Sequence, residues 1–165
     1  MKRGVIWLGL AAWLGMIALP SARGEVTLQV TPIEGGRDLD FGSARSLGSH
    51  GEPEADTVIR RVRLTITPTS SGRYQIFQRV SEPWTNPAGR ELPLQAVRFF
   101  ISSTRTNGLV RFPSPTPLTL GEEEIFLSNE SGGNEEILIT YTIQVPPGQE
   151  TGRYRTNLTF RVVSQ

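Results

Sequence analysis

The chain has 165 residues, no cysteine and a formal net charge of +1, from 17 basic and 16 acidic side chains. Without cysteine it forms no disulfide, holds no thiolate-bound metal and has no thiol nucleophile. The near-neutral charge gives no global attraction to nucleic acid or to an anionic membrane. These values favour a globular protein that is held together by side-chain packing and backbone pairing.

The first 24 residues have the pattern of a secretory signal peptide. Two basic residues, Lys2 and Arg3, precede an apolar run at residues 5–19, and Ala22-Arg23-Gly24 supplies small residues at the expected cleavage positions. The alternative is an uncleaved membrane anchor, but the run is shorter than the ~20 residues that a spanning helix needs. The sequence therefore predicts cleavage after Gly24 and no membrane span in the mature chain.

Residues 25–165 are predicted to form one domain, which we expect in the periplasm, at the cell surface or outside the cell. This part has 14 basic and 16 acidic residues, and every basic residue is arginine because Lys2 is the only lysine. Lysine-dependent isopeptide cross-links of the kind found in some pilins are therefore excluded. A domain of this size buries enough surface to fold without covalent staples.

The segment 58–67 predicts a strand with two distinct faces. Its apolar side chains fall on one face: Val62, Leu64 and Ile66. Arg61 and Arg63 alternate with them and point to the other face. Arg60 falls on the apolar parity, which predicts either a β-bulge or a strand that begins only at Arg61.

The end of the chain has the clearest alternation. Apolar residues recur at every second position from Ile137 to Val145, and the pattern returns from Tyr154 to Val163 after a proline-glycine loop. These two segments are predicted to pair as the last hairpin. Helical periodicity is absent over any useful length of residues 25–165, so we expect seven or eight strands arranged as a sandwich.

The mature sequence opens with VTPIEGGRDLDFGSARSLG and closes with ITYTIQVPPGQETGRYRTNLTFRV. Both stretches resemble bacterial immunoglobulin-like domains, whose motifs recur in exported surface proteins, in pilus-like, spore-coat-U-like subunits and in periplasmic chaperone-like domains. The resemblance implies an immunoglobulin-like Greek-key β-sandwich that acts outside the cytoplasm, and it carries over no catalytic residue. The expected structural core includes Leu39, Phe41, Tyr141, Tyr154, Leu158 and Phe160.

No constellation in the sequence predicts catalysis, a cofactor or a metal. The single histidine, His50, lies near Glu52 and Glu54, but no second histidine or cysteine accompanies it. The acidic runs at 122–124 and 135–136 lack the regular spacing of a calcium loop, so we expect them to be solvated. The protein is therefore not expected to be an enzyme.

Two kinds of binding remain open from the sequence. Trp84 lies in the proline-rich segment SEPWTNP, where it either contacts a carbohydrate or protein partner or covers the end of the sandwich. Arg61 and Arg63 are the other candidate contacts, with a solvated strand face as the alternative. We expect an exported structural or adhesion-type subunit that acts by protein association or self-association, with a Trp84-based binding module as the second hypothesis.

Overall fold

The computed structural model describes residues 25–33, 43–44, 57–146, 148–149 and 152–165. Seven described strands have at least seven residues, and six have two. A 3-10 turn at Leu94–Ala96 is the only helical element in the described part of the chain. In chain order the strands are β1 (Val26–Pro32), β2 (Ser43–Ala44), β3 (Thr57–Pro68), β4 (Tyr74–Val80), β5 (Trp84–Thr85), β6 (Glu91–Leu92), β7 (Val97–Arg105), β8 (Leu109–Val110), β9 (Thr116–Pro117), β10 (Gly121–Leu127), β11 (Glu135–Gln144), β12 (Gly152–Arg153) and β13 (Leu158–Ser164).

The strands form two main antiparallel sheets that pack as a sandwich. The first sheet has the order β1-β3-β11-β7-β9, and the second has the order β13-β4-β10-β8. From β3 onward each successive long strand lies in the opposite sheet, so the chain crosses the sandwich repeatedly. The predicted all-β sandwich is therefore confirmed, and its seven long strands agree with the predicted number.

The side chains that face the core in β3 and β11 are those that the sequence alternation predicts. Val62, Leu64 and Ile66 of β3 are completely buried, while Arg61 and Arg63 are on the outward face. The partner strand β11 behaves in the same way, because its inward residues from Ile137 to Val145 are buried. This arrangement follows from the two-residue period of a strand, which directs successive side chains to opposite faces of the sheet.

Two predictions about strand pairing are wrong. Arg60 lies opposite Tyr141 in a β3–β11 register that is continuous from Thr57 to Ile66, so β3 has no bulge there and does not begin at Arg61. A strand can carry this arginine on the inward parity because its Nη1 donates a hydrogen bond to the carbonyl of Ile59 (2.8 Å). The predicted last hairpin is also absent, because β11 lies in the first sheet and β13 pairs with β4 in the second.

The predicted core residues have three different outcomes. Tyr141 and Tyr154 are buried, and Tyr141 stacks with Phe99 at a centroid distance of 6.1 Å. Leu158 and Phe160 are only half-buried at the margin of the core. The remaining two, Leu39 and Phe41, lie outside the described residues.

Candidate functional site

The two long sides of the sandwich differ, and one of them is closed by the segment 109–118. The backbone N–H of Ile101 donates to the carbonyl of Phe112 (2.7 Å), and that of Leu118 donates to Val97 (2.9 Å), which ties the segment to the first sheet. The N–H of Arg111 donates to Ile125 (3.1 Å), which ties it to the second sheet. The Phe112 ring also packs against Phe99, so this side is both hydrogen-bonded and filled.

The opposite side is bordered by β1, which pairs only with β3 among the described strands. The N–H of Ile33 donates to Arg61, and the N–H of Thr69 donates to Glu25. Because alternate residues of an antiparallel pair exchange both backbone bonds, the odd-numbered residues of β1 bond to β3. The N–H and C=O groups of Val26, Leu28 and Val30 therefore point away from the sheet.

The last strand, β13, borders the same side of the sandwich, where it approaches β1, and in the described structure its backbone pairs only with β4. The N–H of Ser81 donates to Asn157 (3.1 Å), and the N–H of Gln165 donates to Arg73 (2.8 Å), so the odd-numbered residues of β13 bond to β4. The backbone groups of the intervening apolar residues point outward. These residues are Leu158, Phe160 and Val162.

We call this border the open side and define it by Val26, Leu28, Val30, Leu158, Phe160 and Val162. All six lie on the inward parity of their strands. Five of them are partly buried against the core, whereas Val30 is 43% exposed. A shallow depression lies where β1 starts and β13 ends, and it is lined in part by Val26, Arg73 and Gln165. The open side thus combines outward backbone groups with incompletely covered apolar surface.

This combination can accept a further β-strand. An edge strand presents a row of backbone donors and acceptors, and an added strand satisfies them while its side chains cover the apolar border. The sequence analysis did not identify the open side, because alternation shows which residues face inward but not which strand has a neighbour. The residue patterns of β1 and β13 would be the same if these strands lay in the middle of a sheet.

Trp84 lies in the core at the end of the sandwich and is only 2% exposed. It belongs to β5, where it pairs with Leu92 of β6, and the next residue, Thr85, exchanges two backbone hydrogen bonds with Arg155 (3.0 and 2.9 Å). In this position the indole covers the end of the sandwich and presents no exposed stacking face. Its role as a ligand contact remains a prediction, which the burial of the ring does not favour.

Arg61 and Arg63 lie on the outward face of the first sheet, as their parity predicts. Arg63 Nε is 3.3 Å from Glu136 Oε1, and both side chains are substantially exposed. An exposed pair of this kind contributes little to stability, because water and salt screen it. Both arginines point away from the core and are therefore separate from the open side.

Two tyrosine hydroxyls donate hydrogen bonds to partners inside the protein. The Tyr141 hydroxyl donates to Gln78 Oε1 (2.7 Å), and burial, with a contribution from Glu123, raises the pKa of Tyr141 well above its usual value. Burial, together with Glu135, also raises the pKa of Tyr74, whose hydroxyl donates to the Gly133 carbonyl (2.9 Å). Both phenols consequently stay neutral and act as hydrogen-bond donors at physiological pH.

The described residues contain neither a metal-binding cluster nor a membrane-spanning helix. No group of three or more histidine or acidic side chains there is arranged to hold a metal ion. In the same part of the chain, no helix is long and apolar enough to cross a membrane. The segment around His50 lies outside the described residues.

Comparison with known proteins does not add a family. The sequence matches no protein-family model, and a search of the curated proteins finds no significant match. The resemblance to spore-coat-U-like subunits therefore stays a prediction, while the all-β sandwich rests on the strand topology.

Proposed function

We propose that this protein is an exported, non-catalytic subunit that associates with other protein chains by accepting a β-strand along the open side. The observation that carries the proposal is the difference between the two sides of the sandwich. Segment 109–118 closes one side with hydrogen bonds to both sheets, whereas β1 and β13 leave the other side with outward backbone groups. The signal-peptide pattern of residues 1–24 supports export, and the resemblance to immunoglobulin-like surface and pilus-like subunits supports a structural or adhesion role.

Strand addition at the open side contributes a favourable term to association. Leu158, Phe160 and Val162 together offer three outward N–H groups and three outward carbonyls on β13. Each hydrogen bond formed contributes about 0.5–1.5 kcal/mol net. Six bonds thus contribute about 3–9 kcal/mol before the cost of association, and burial of half-exposed side chains such as Val30 adds to that value.

The experiment compares two lysine substitutions at neighbouring positions of β1. Val30→Lys places a charge on the open side, and Gln29→Lys places the same charge on the outward face of the same strand. Both positions are exposed, so both variants should fold. We expect light scattering after size exclusion to show concentration-dependent association of the mature chain and of Gln29→Lys, and a monomer for Val30→Lys.

Amide hydrogen exchange locates the contact. The N–H groups of Phe160 and Val162 should exchange quickly in the monomer and slowly after association, whereas that of Arg161 bonds to β4 and should be protected in both states. If the mature chain stays monomeric, a synthetic peptide of residues 25–32 serves as the added strand in the same measurement. Unchanged exchange at Phe160 and Val162 with excess peptide, or equal association of the two lysine variants, would contradict the proposal.

A further inference from the structure

The outward face of the first sheet carries a continuous layer of arginine, hydroxyl and apolar side chains. The strand register places nine residues in three parallel rows across β3, β11 and β7. The rows are Ile59–Thr142–Arg98, Arg61–Thr140–Phe100 and Arg63–Leu138–Ser102. We call these nine residues the outer patch.

The outer patch has a positive charge. It contains Arg61, Arg63 and Arg98 and no acidic residue, and the adjoining row contributes the single acid Glu136, which pairs with Arg63. Arg63 remains 48% exposed despite this pair, and Arg98 is exposed as well. Three arginines against one glutamate give these rows a net positive charge.

Apolar side chains lie beside the arginines of the outer patch. Leu138 and Phe100 are half-buried, Ile59 is 39% exposed, and Thr140, at the centre between Arg61 and Phe100, is only 5% exposed. Arginine and aromatic side chains are enriched at protein interfaces, whereas serine and acidic residues are depleted there. Three arginines, one aromatic ring and two aliphatic side chains on one sheet face match this composition.

We infer that the outer patch is a docking surface for an acidic protein partner. The arginines select a surface with carboxylates, and Leu138, Phe100 and Ile59 supply the apolar area that a protein offers and a polysaccharide does not. The charges do not favour a second copy of this chain. The acids on the outward face of its second sheet are already engaged, as Glu122 pairs with Arg161 and Glu124 pairs with Arg111.

This inference is independent of strand addition at the open side. The outer patch uses side chains that point out of the first sheet, whereas the open side uses the edges of β1 and β13 and side chains that point inward. A ligand bound at one surface leaves the other exposed. Failure of either proposal can therefore be recognised without the other.

The test is a nuclear magnetic resonance titration of the mature chain with a synthetic peptide of alternating glutamate and leucine. We expect chemical shift changes at Arg63, Leu138 and Phe100, and binding that weakens as salt is added. The double variant Arg61→Glu/Arg63→Glu should weaken binding by about tenfold or more, because like charges then face each other. The matched control is Arg79→Glu, an exposed strand arginine on the second sheet, which should change binding by less than about twofold.

The remaining outcomes also decide the matter. Arg98→Glu, at an exposed position of the same patch, is the second variant, and it should weaken binding even if the double variant does not fold. Shift changes confined to Phe160 and Val162 would overturn the inference, because they report strand addition at the open side. An equal effect of Arg79→Glu, or binding of heparin fragments without binding of the peptide, would overturn it as well.

Discussion

The buried pair formed by Tyr141 and Gln78 gives a quantitative test of the core. Gln78 is 1% exposed, its Oε1 accepts the Tyr141 hydroxyl, and its Nε2 has no hydrogen-bond partner among the described groups. Tyr141→Phe removes the donor and leaves the Gln78 carbonyl buried without it. Loss of such a bond, with an acceptor left unsatisfied, costs about 1–3 kcal/mol.

A double-mutant cycle separates the hydrogen bond from the other contacts of the two residues. Gln78→Leu leaves the buried Tyr141 hydroxyl without its acceptor, but it also removes the unsatisfied Nε2, so it should cost less than Tyr141→Phe. The double variant leaves neither member of the bond and should lose less than the sum of the single variants. We expect a coupling energy of about 1–2 kcal/mol between the two positions.

Urea unfolding followed by tryptophan fluorescence measures this coupling. Trp84 is the only tryptophan of residues 25–165, and its burial makes its emission sensitive to unfolding. With a slope of about 1–3 kcal/mol per molar urea, a loss of about 2 kcal/mol moves the midpoint by about 1 M. Additive effects within about 0.5 kcal/mol would refute the reasoning, because uncoupled residues do not share a buried hydrogen bond.

Three further predictions concern packing and charge. Gly108→Ala should lower the urea midpoint by an amount equivalent to about 1–3 kcal/mol, since its Cβ would meet the ring of Phe126. Trp84→Ala should lower the free energy of unfolding by about 3–5 kcal/mol, measured by urea denaturation followed by circular dichroism. An unfolding free energy equal to that of the unmodified chain would contradict the buried position of the ring. The hydrogen bond from Arg161 lowers the pKa of Glu122, so its small stabilising effect should disappear as pH falls through that lowered pKa. The melting temperature of Glu122→Gln should lack this acid-dependent step, and high salt should reduce the step in the unmodified chain.

Strand positions could be predicted from the sequence wherever a strand has one apolar face. The alternation of Val62, Leu64 and Ile66 in β3 led directly to the correct inward face, because a strand has only two faces to choose between. Arg60 shows the limit of the same rule. A long side chain can lie on the inward parity near the end of a strand and still reach a polar atom, so parity alone does not require a bulge.

Strand partners could not be predicted in the same way. β11 and β13 are the last two long strands of the chain and alternate well, which favours a hairpin, but the chain crosses to the other sheet between them. The choice is made by packing across the whole sandwich, and no local pattern records it. The open side escaped prediction for this reason, since an edge is defined by the absence of a neighbour.

The two proposed surfaces meet at β1, and the strand period keeps them separate. The backbone N–H and C=O of Val30 point away from β3, and its side chain lies at the open side. The adjacent Gln29 bonds to β3 through its backbone, and its side chain lies on the outward face of the first sheet. A strand added at β1 would extend the first sheet beyond Gln29 and away from Arg61 and Arg63. The outer patch would then lie within a wider sheet face, so assembly at the open side should leave docking of an acidic partner intact.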